Sequence, residues 1–391
     1  MKILFYRYGS ICEPDVLEAF EELGHSVTQI TTEITNKELS WGDCARLVGQ
    51  ALSTYSYDCI FTINFFPAIS EVCNIFKIIY ICWIVDSPVM ELFTKSVQNT
   101  CNRIFLFDKK QYLDIAPLNP DCVFHYPLAV NVKAKQAVIQ NAPASIHNKY
   151  KTEISFVGSL YSEKCPYDKL SDPPDYLTGY LNGIMESQLK IYGYYFIDEV
   201  LPDDVIQEFK AHLPNYYQSP MADFLTDKIT VSQLYIGNKL TALERVRTMT
   251  LLAEHFPLDI YTGSDTSDIP KIHNRGFAKT LTEMPLIFKN SKINLNTTSR
   301  AIRSGIPLRV FDIMGCEGFV LSNYQPELID LFEPGVEFDF YTSEDELLEK
   351  AHYYLNHEKT RKEIAHNAYE KVSKEYNYLE RIQHLLHVSF S

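Results

Sequence analysis

Eight cations, Lys271, Arg275, Lys279, Lys289, Lys292, Arg300, Arg303 and Arg309, fall between Ile269 and Phe311 against one acid, Glu283. The whole chain carries a formal charge of −14, so such a cluster marks either a local anion site or a set of solvated helix faces. Its densest part lies around Pro307, where a helix can begin. The free N–H groups and positive end of a helix start suit a phosphate. Arg300 and Arg303 stand just before that point and Arg309 on the first turn, placed to hold a diphosphate. Asp312 follows Arg309 by three residues and shares its helix face, where a carboxylate can accept hydrogen bonds from a ribose. The same spacing equally describes a surface ion pair between Arg309 and Asp312.

A second candidate is Asp86. It follows the apolar run 78–85 and therefore sits at the carboxyl end of a strand, where a carboxylate can deprotonate a hydroxyl. Asp86-Ser87-Pro88 also reads as a helix cap with proline near the helix start. His125, in a strand, and Glu13, at a helix start, are weaker candidates. The 26 tyrosines suit sugar stacking, although most must serve the core or the surface.

Several signatures are absent. There is no G-x-x-x-x-G-K-[ST] loop, G-x-G-x-x-G fingerprint, H-E-x-x-H or G-x-S-x-G, and no D-x-D. The nine cysteines are scattered without a C-x-x-C pair, which argues against a disulfide framework or a zinc site. His352/His357 and His384/His387 lack a third ligand nearby and read as helix-surface residues. The acidic balance opposes duplex DNA binding, which depends on neutralising phosphates. The opening Met1-Lys2-Ile3-Leu4-Phe5-Tyr6 reads as a strand rather than a leader, and run 78–85 is far short of the ~20 residues of a membrane helix. The expectation is a soluble, cytoplasmic protein.

The elements that must position these residues alternate. Strands are expected at 3–8, 26–30, 59–63, 78–85, 103–107 and 123–126, with helices between most of them. Residues 134–152, small and polar without a clear period, read as a connection. The pattern restarts at 153–159, is interrupted by a Tyr-, Asp- and Pro-rich helical stretch at about 161–241, and resumes. Helices follow at 240–255, 281–290 and 307–316, and strands at 258–261, 293–296 and 318–322. The chain ends in helices from 343 to 387. Strands alternating with helices imply parallel sheets. The expected fold class is therefore α/β, with two Rossmann-like parallel-sheet domains facing a cleft. The expected domains are 1–133, a linker at 134–152, and 153–375 with a helical insertion, closed by a helix at 376–391. Ligands of such sheets bind beyond the carboxyl ends of the strands.

Within 299–322, Val310-Phe311-Asp312-Ile313-Met314-Gly315-Cys316 followed by Phe319-Val320-Leu321 resembles the donor-site helix and strand of GT-B glycosyltransferases. A closer resemblance is to the CgeB-type spore-maturation glycosyltransferases. It is carried by Tyr80 to Pro88 (YICWIVDSP), Tyr126 to Asn131 (YPLAVN), Ile154 to Ser159 (ISFVGS) and Pro307 to Asp312. These pieces run in family order over roughly residues 80 to 350. Asp312 stands where GT-B enzymes more often carry glutamate.

The resemblance implies a transferase that moves a sugar from a nucleotide-sugar co-substrate, a UDP-sugar first among them, onto an acceptor glycan, protein or small molecule. It implies no obligatory metal. The donor site would lie in the C-terminal domain, with Gly158 and Ser159 at the diphosphate and Arg300, Arg303, Arg309 and Asp312 around the nucleotide. The acceptor side would include Gly9 and Ser10 of the N-terminal domain, with Asp86 as the acid–base group. The last helix would cross back to the N-terminal domain. The alternatives are a nucleotide-sugar epimerase and a non-catalytic nucleotide- or sugar-binding scaffold of the same fold.

Overall fold

The computed structural model describes residues 1–218 and 226–391. The chain divides into two compact units, Met1–Ala129 with Glu375–Ser391, and Val130–Tyr217 with Asp227–Lys374. Each unit holds one six-stranded parallel sheet.

In the first unit the strands are β1 (Lys2–Tyr6), β2 (Ser26–Ile30), β3 (Cys59–Ile63), β4 (Ile79–Ile84), β5 (Asn102–Leu106) and β6 (Val123–His125). They lie in the order β2-β1-β3-β4-β5-β6. The central strands are continuous apolar runs because helices cover both faces of the sheet; all five residues of β3 are buried. Phe5, Phe20 and Phe61 interlock edge to face, with centroids 5.1–6.2 Å apart. Truncating one such ring to alanine costs about 3–5 kcal/mol. The helix Tyr378–Phe390 packs in this unit: Tyr378 meets Trp83 edge to face at 5.8 Å, and the Tyr126 hydroxyl donates to the Arg381 carbonyl at 2.8 Å.

In the second unit the strands are β7 (Thr152–Val157), β8 (Leu258–Tyr261), β9 (His273–Asn274), β10 (Ser291–Asn296), β11 (Val320–Asn323) and β12 (Asp339–Tyr341). Their order is β12-β11-β10-β7-β8-β9. Between β7 and β8 the chain inserts helices at Asp175–Leu189, Ile197–Val200 and Asp203–Ala211. These pack around a core of their own that includes Leu181, Ile206, Phe209 and Ile236. A π-helical turn, Thr230–Ile236, then leads into the long helix Gly237–His255.

Residues 134–152, read from sequence as a connection, instead carry helices at Val132–Asn141 and Ala144–Lys149 that belong to the second unit. Asn131 caps the first of them, accepting from the Ala134 N–H at 3.0 Å. The short strands β9 and β12 were not anticipated. Among the described residues no helix is long and apolar enough to cross a membrane.

Candidate active site

Both sheets reverse their strand order beside their first strand: β1 connects outward to β2 while β3 lies on its other side, and β7 likewise stands between β8 and β10. At such switch points the loops beyond the carboxyl ends diverge and leave a crevice for a ligand. Chemistry-bearing side chains gather at both.

In the second unit, Val157 ends β7 and Gly158 follows with φ +153°, its N–H donated to the Tyr261 carbonyl at 3.0 Å. Arg309, on the first turn of the helix Leu308–Gly315, reaches over this glycine and donates through Nη1 to the Val157 carbonyl. A second guanidinium, that of Arg245 on the helix Gly237–His255, donates to the Ser159 carbonyl and the Thr297 carbonyl, each at 2.6 Å. It also lies 4.9 Å from the Tyr161 ring. Thr297 directly follows β10, so the two arginines converge on the crevice between β7 and β10. Among the described residues their hydrogen bonds go to backbone carbonyls, and the Nε of each is buried with no partner. Burial pulls the Arg309 guanidinium down to about 10, with repulsion from Arg245 adding to it. Burial lowers Arg245 as well. This is a desolvated double positive charge, the situation an anion relieves.

The other sequence candidates are placed differently. Arg300 is buried in a bidentate ion pair with Glu244, Nε–Oε2 2.6 Å and Nη2–Oε1 3.0 Å, and also donates to the Ile191 carbonyl. Arg303 stands 3.6 Å from Asp198 of the inserted helices. Both therefore tie the insertion to the segment beyond β10. Asp312 does not pair with Arg309: its Oδ1 meets Lys135 Nζ at 2.9 Å, both side chains largely buried. The Ser159 hydroxyl donates to Glu163 at 2.8 Å and accepts from the Tyr161 N–H. Arg245 was missed because 161–241 separates it from the rest of the site. Its signal was a lone cation on the buried helix face with Thr241, Thr248, Met249 and Leu252.

In the first unit Asp86 lies just past β4, exposed, with Oδ2 accepting from Asn64 Nδ2 at 2.7 Å. No helix starts there; the next helical turn is Met90–Phe93, with Val89 at its cap position, so the capping role is excluded. Asp86 borders a cavity of about 390 Å³ at the β1–β3–β4 edge, with Tyr8, Trp41 and Phe66 as aromatic walls. Glu33 and Glu91 are its other charged lining residues, and burial raises Glu91. Gly9, with φ +96°, donates its N–H to both oxygens of Glu13, at 3.0 and 3.1 Å. Glu13 thus clamps the loop beyond β1, and the Gly9 N–H is already engaged. Ser10 Oγ lies 3.3 Å from Cys12 Sγ.

With this geometry in view, residues 241–387 match a family described as glycosyl transferase-like. Solved structures similar over nearly the whole chain include a glycosyltransferase from Rickettsia africae, at TM-score 0.56 and 11% identity, covering 99% of this chain and 97% of that one. Another is Anabaena HepE in complex with UDP and glucose, at TM-score 0.54 and 12% identity, covering 99% and 98%. A putative UDP-N-acetylglucosamine 2-epimerase from Listeria monocytogenes is also similar, at TM-score 0.51 and 10% identity, covering 100% and 96%. No curated protein matches the sequence. At these identities the likeness shows the fold, which is GT-B. With the domain match it defines the class of the chain: a glycosyltransferase of the GT-B type.

Proposed function

We propose that the chain transfers a sugar from a UDP-sugar to an uncharged, hydroxyl-bearing acceptor, and that it belongs with the CgeB-type enzymes. The observation that carries this is the buried pair Arg245 and Arg309 at the switch point of the second sheet, whose hydrogen bonds, among the described residues, go to backbone carbonyls and not to carboxylates. A diphosphate supplies the missing negative charge, and the UDP in the Anabaena complex is a ligand of that chemistry. As the glycosidic bond breaks, charge accumulates on the departing diphosphate, and two fixed guanidiniums in a dry site stabilise it without reorganising. Asp312, oriented by Lys135, is the proposed ribose contact. Gly158 serves by leaving room for Arg309, its own N–H being engaged by the Tyr261 carbonyl, and Ser159 by accepting Arg245 at its carbonyl.

On the first unit, Asp86 is the proposed general base for the acceptor hydroxyl, and Gly9 and Ser10 shape the loop beside it. The aromatic walls suit a sugar ring. The cavity's charged lining groups are Glu33, Asp86 and Glu91, which repel a phosphorylated or carboxylated acceptor. The test is UDP release from UDP-glucose and related UDP-sugars, with and without candidate acceptors. Acceptor-dependent UDP release supports transfer. Interconversion of the UDP-sugar without acceptor makes the chain an epimerase, and binding without turnover makes it a scaffold.

A further inference from the structure

Asn64 lies 22 residues from Asp86 in sequence, yet it joins three strands in space. It follows β3 directly and holds a left-handed backbone, φ +57°. Its Oδ1 accepts the Val85 N–H at 3.0 Å, which fixes the orientation of the amide. The two amide hydrogens then point to Asp86 Oδ2 at 2.7 Å and to the Tyr8 hydroxyl oxygen at 2.9 Å. One planar group therefore ties the ends of β1, β3 and β4 together at the switch point.

We propose that Asn64 is the positioning residue of the acceptor site, holding Asp86 and Tyr8 in fixed register so that Oδ1 of Asp86 meets the acceptor hydroxyl. It rests on the assignment of Asp86 as general base. The other charged residues lining the cavity beside Asp86 are Glu33 and Glu91, and Tyr8 lines it too. Lys37 stands behind Tyr8, donating to its carbonyl with Nζ 5.8 Å from the ring. The amide of Asn64 is thus the donor that fixes the orientation of the Asp86 carboxylate. A role in backbone conformation alone would be filled as well by glycine, which adopts positive φ without strain, or by aspartate, which tolerates it.

That contrast sets the experiment. Asn64→Gly relaxes the backbone and removes the amide; Asn64→Asp keeps the shape and reverses the electrostatics. UDP release from UDP-glucose with neutral sugar acceptors, and UDP binding, are compared in the full chain for the parent, both variants and Asp86→Asn. Both substitutions are expected to lower transfer, Asn64→Asp more than Asn64→Gly. UDP affinity, a property of the second unit, stays at the parent value. With an acceptor in hand, kcat falls about 10–100-fold, part of the contribution of a general base, while KM for the donor holds. Parent kcat in a folded Asn64→Gly overturns the proposal, and so does loss of the fold in both variants, which assigns Asn64 to structure. Full transfer by Asp86→Asn overturns the general-base assignment instead.

Discussion

The guanidinium of Arg309 occupies the space that a side chain at Gly158 would need: a Cβ built there overlaps Nη1. The two residues are 151 positions apart in sequence, yet each presupposes the other. Gly158 directly follows the first strand of the second sheet, and the arginine can reach the Val157 carbonyl only because nothing projects from the next residue.

Gly158→Ala is therefore expected to displace Arg309 and to weaken UDP binding about as much as removal of the arginine itself, roughly 1.5–3 kcal/mol for a charged hydrogen bond. Calorimetric titration with UDP, beside a melting curve, measures both effects. Parent affinity would mean that Arg309 does not need this position.

Arg245 and Arg300 should part company. Arg245→Ala is expected to cost about 1.5–3 kcal/mol of UDP affinity with the fold intact. Arg300→Ala strands Glu244 as an unpaired buried charge, which costs about 3–5 kcal/mol of stability, while UDP binding by the folded fraction persists. Chemical denaturation and UDP titration on the two variants separate these roles.

Asp86→Asn keeps the shape and still bonds to its neighbours but cannot take a proton. Transfer is expected to fall about 10²–10⁴-fold, with UDP affinity unchanged. Since Asp86 caps no helix, a normal melting temperature is expected as well. Transfer within a few-fold of the parent would move the base elsewhere or point to a mechanism that needs none.

The acceptor is expected to be uncharged. In a competition assay, neutral sugars such as methyl glucosides and N-acetylglucosamine should outperform glucose 6-phosphate, because the cavity's charged lining groups are carboxylates and like charges across a contact oppose binding. Preference for the phosphorylated sugar would reject this cavity as the acceptor site.

The sheet strands were legible in the sequence because parallel strands buried on both faces appear as unbroken apolar runs; β2, β3 and β8 lie within the expected bounds residue for residue. The carboxyl end of β4 led directly to Asp86. Local reading could not supply a partner that is distant in sequence. Arg300, Arg303 and Arg309 sit together in sequence and look like one anion site, but only Arg309 points to the crevice; the partners of the others, Glu244 and Asp198, lie 56 and 105 residues earlier. Asp312 belongs to Lys135 for the same reason. That lysine lies in the segment whose small and polar residues hid the helix Val132–Asn141. Asn64 carries no sequence signal at all, because its role exists only once β1, β3 and β4 are side by side.

The most direct test of the account is a comparison of UDP with uridine, titrated into the parent protein and into Arg309→Ala. If Arg245 and Arg309 hold the donor diphosphate, UDP binds the parent and loses about 10- to 150-fold in affinity in the variant, equivalent to about 1.5–3 kcal/mol. Uridine, which has no diphosphate, binds both proteins alike. A parent protein that does not bind UDP, or a folded Arg309→Ala that binds it as tightly as the parent, contradicts the account.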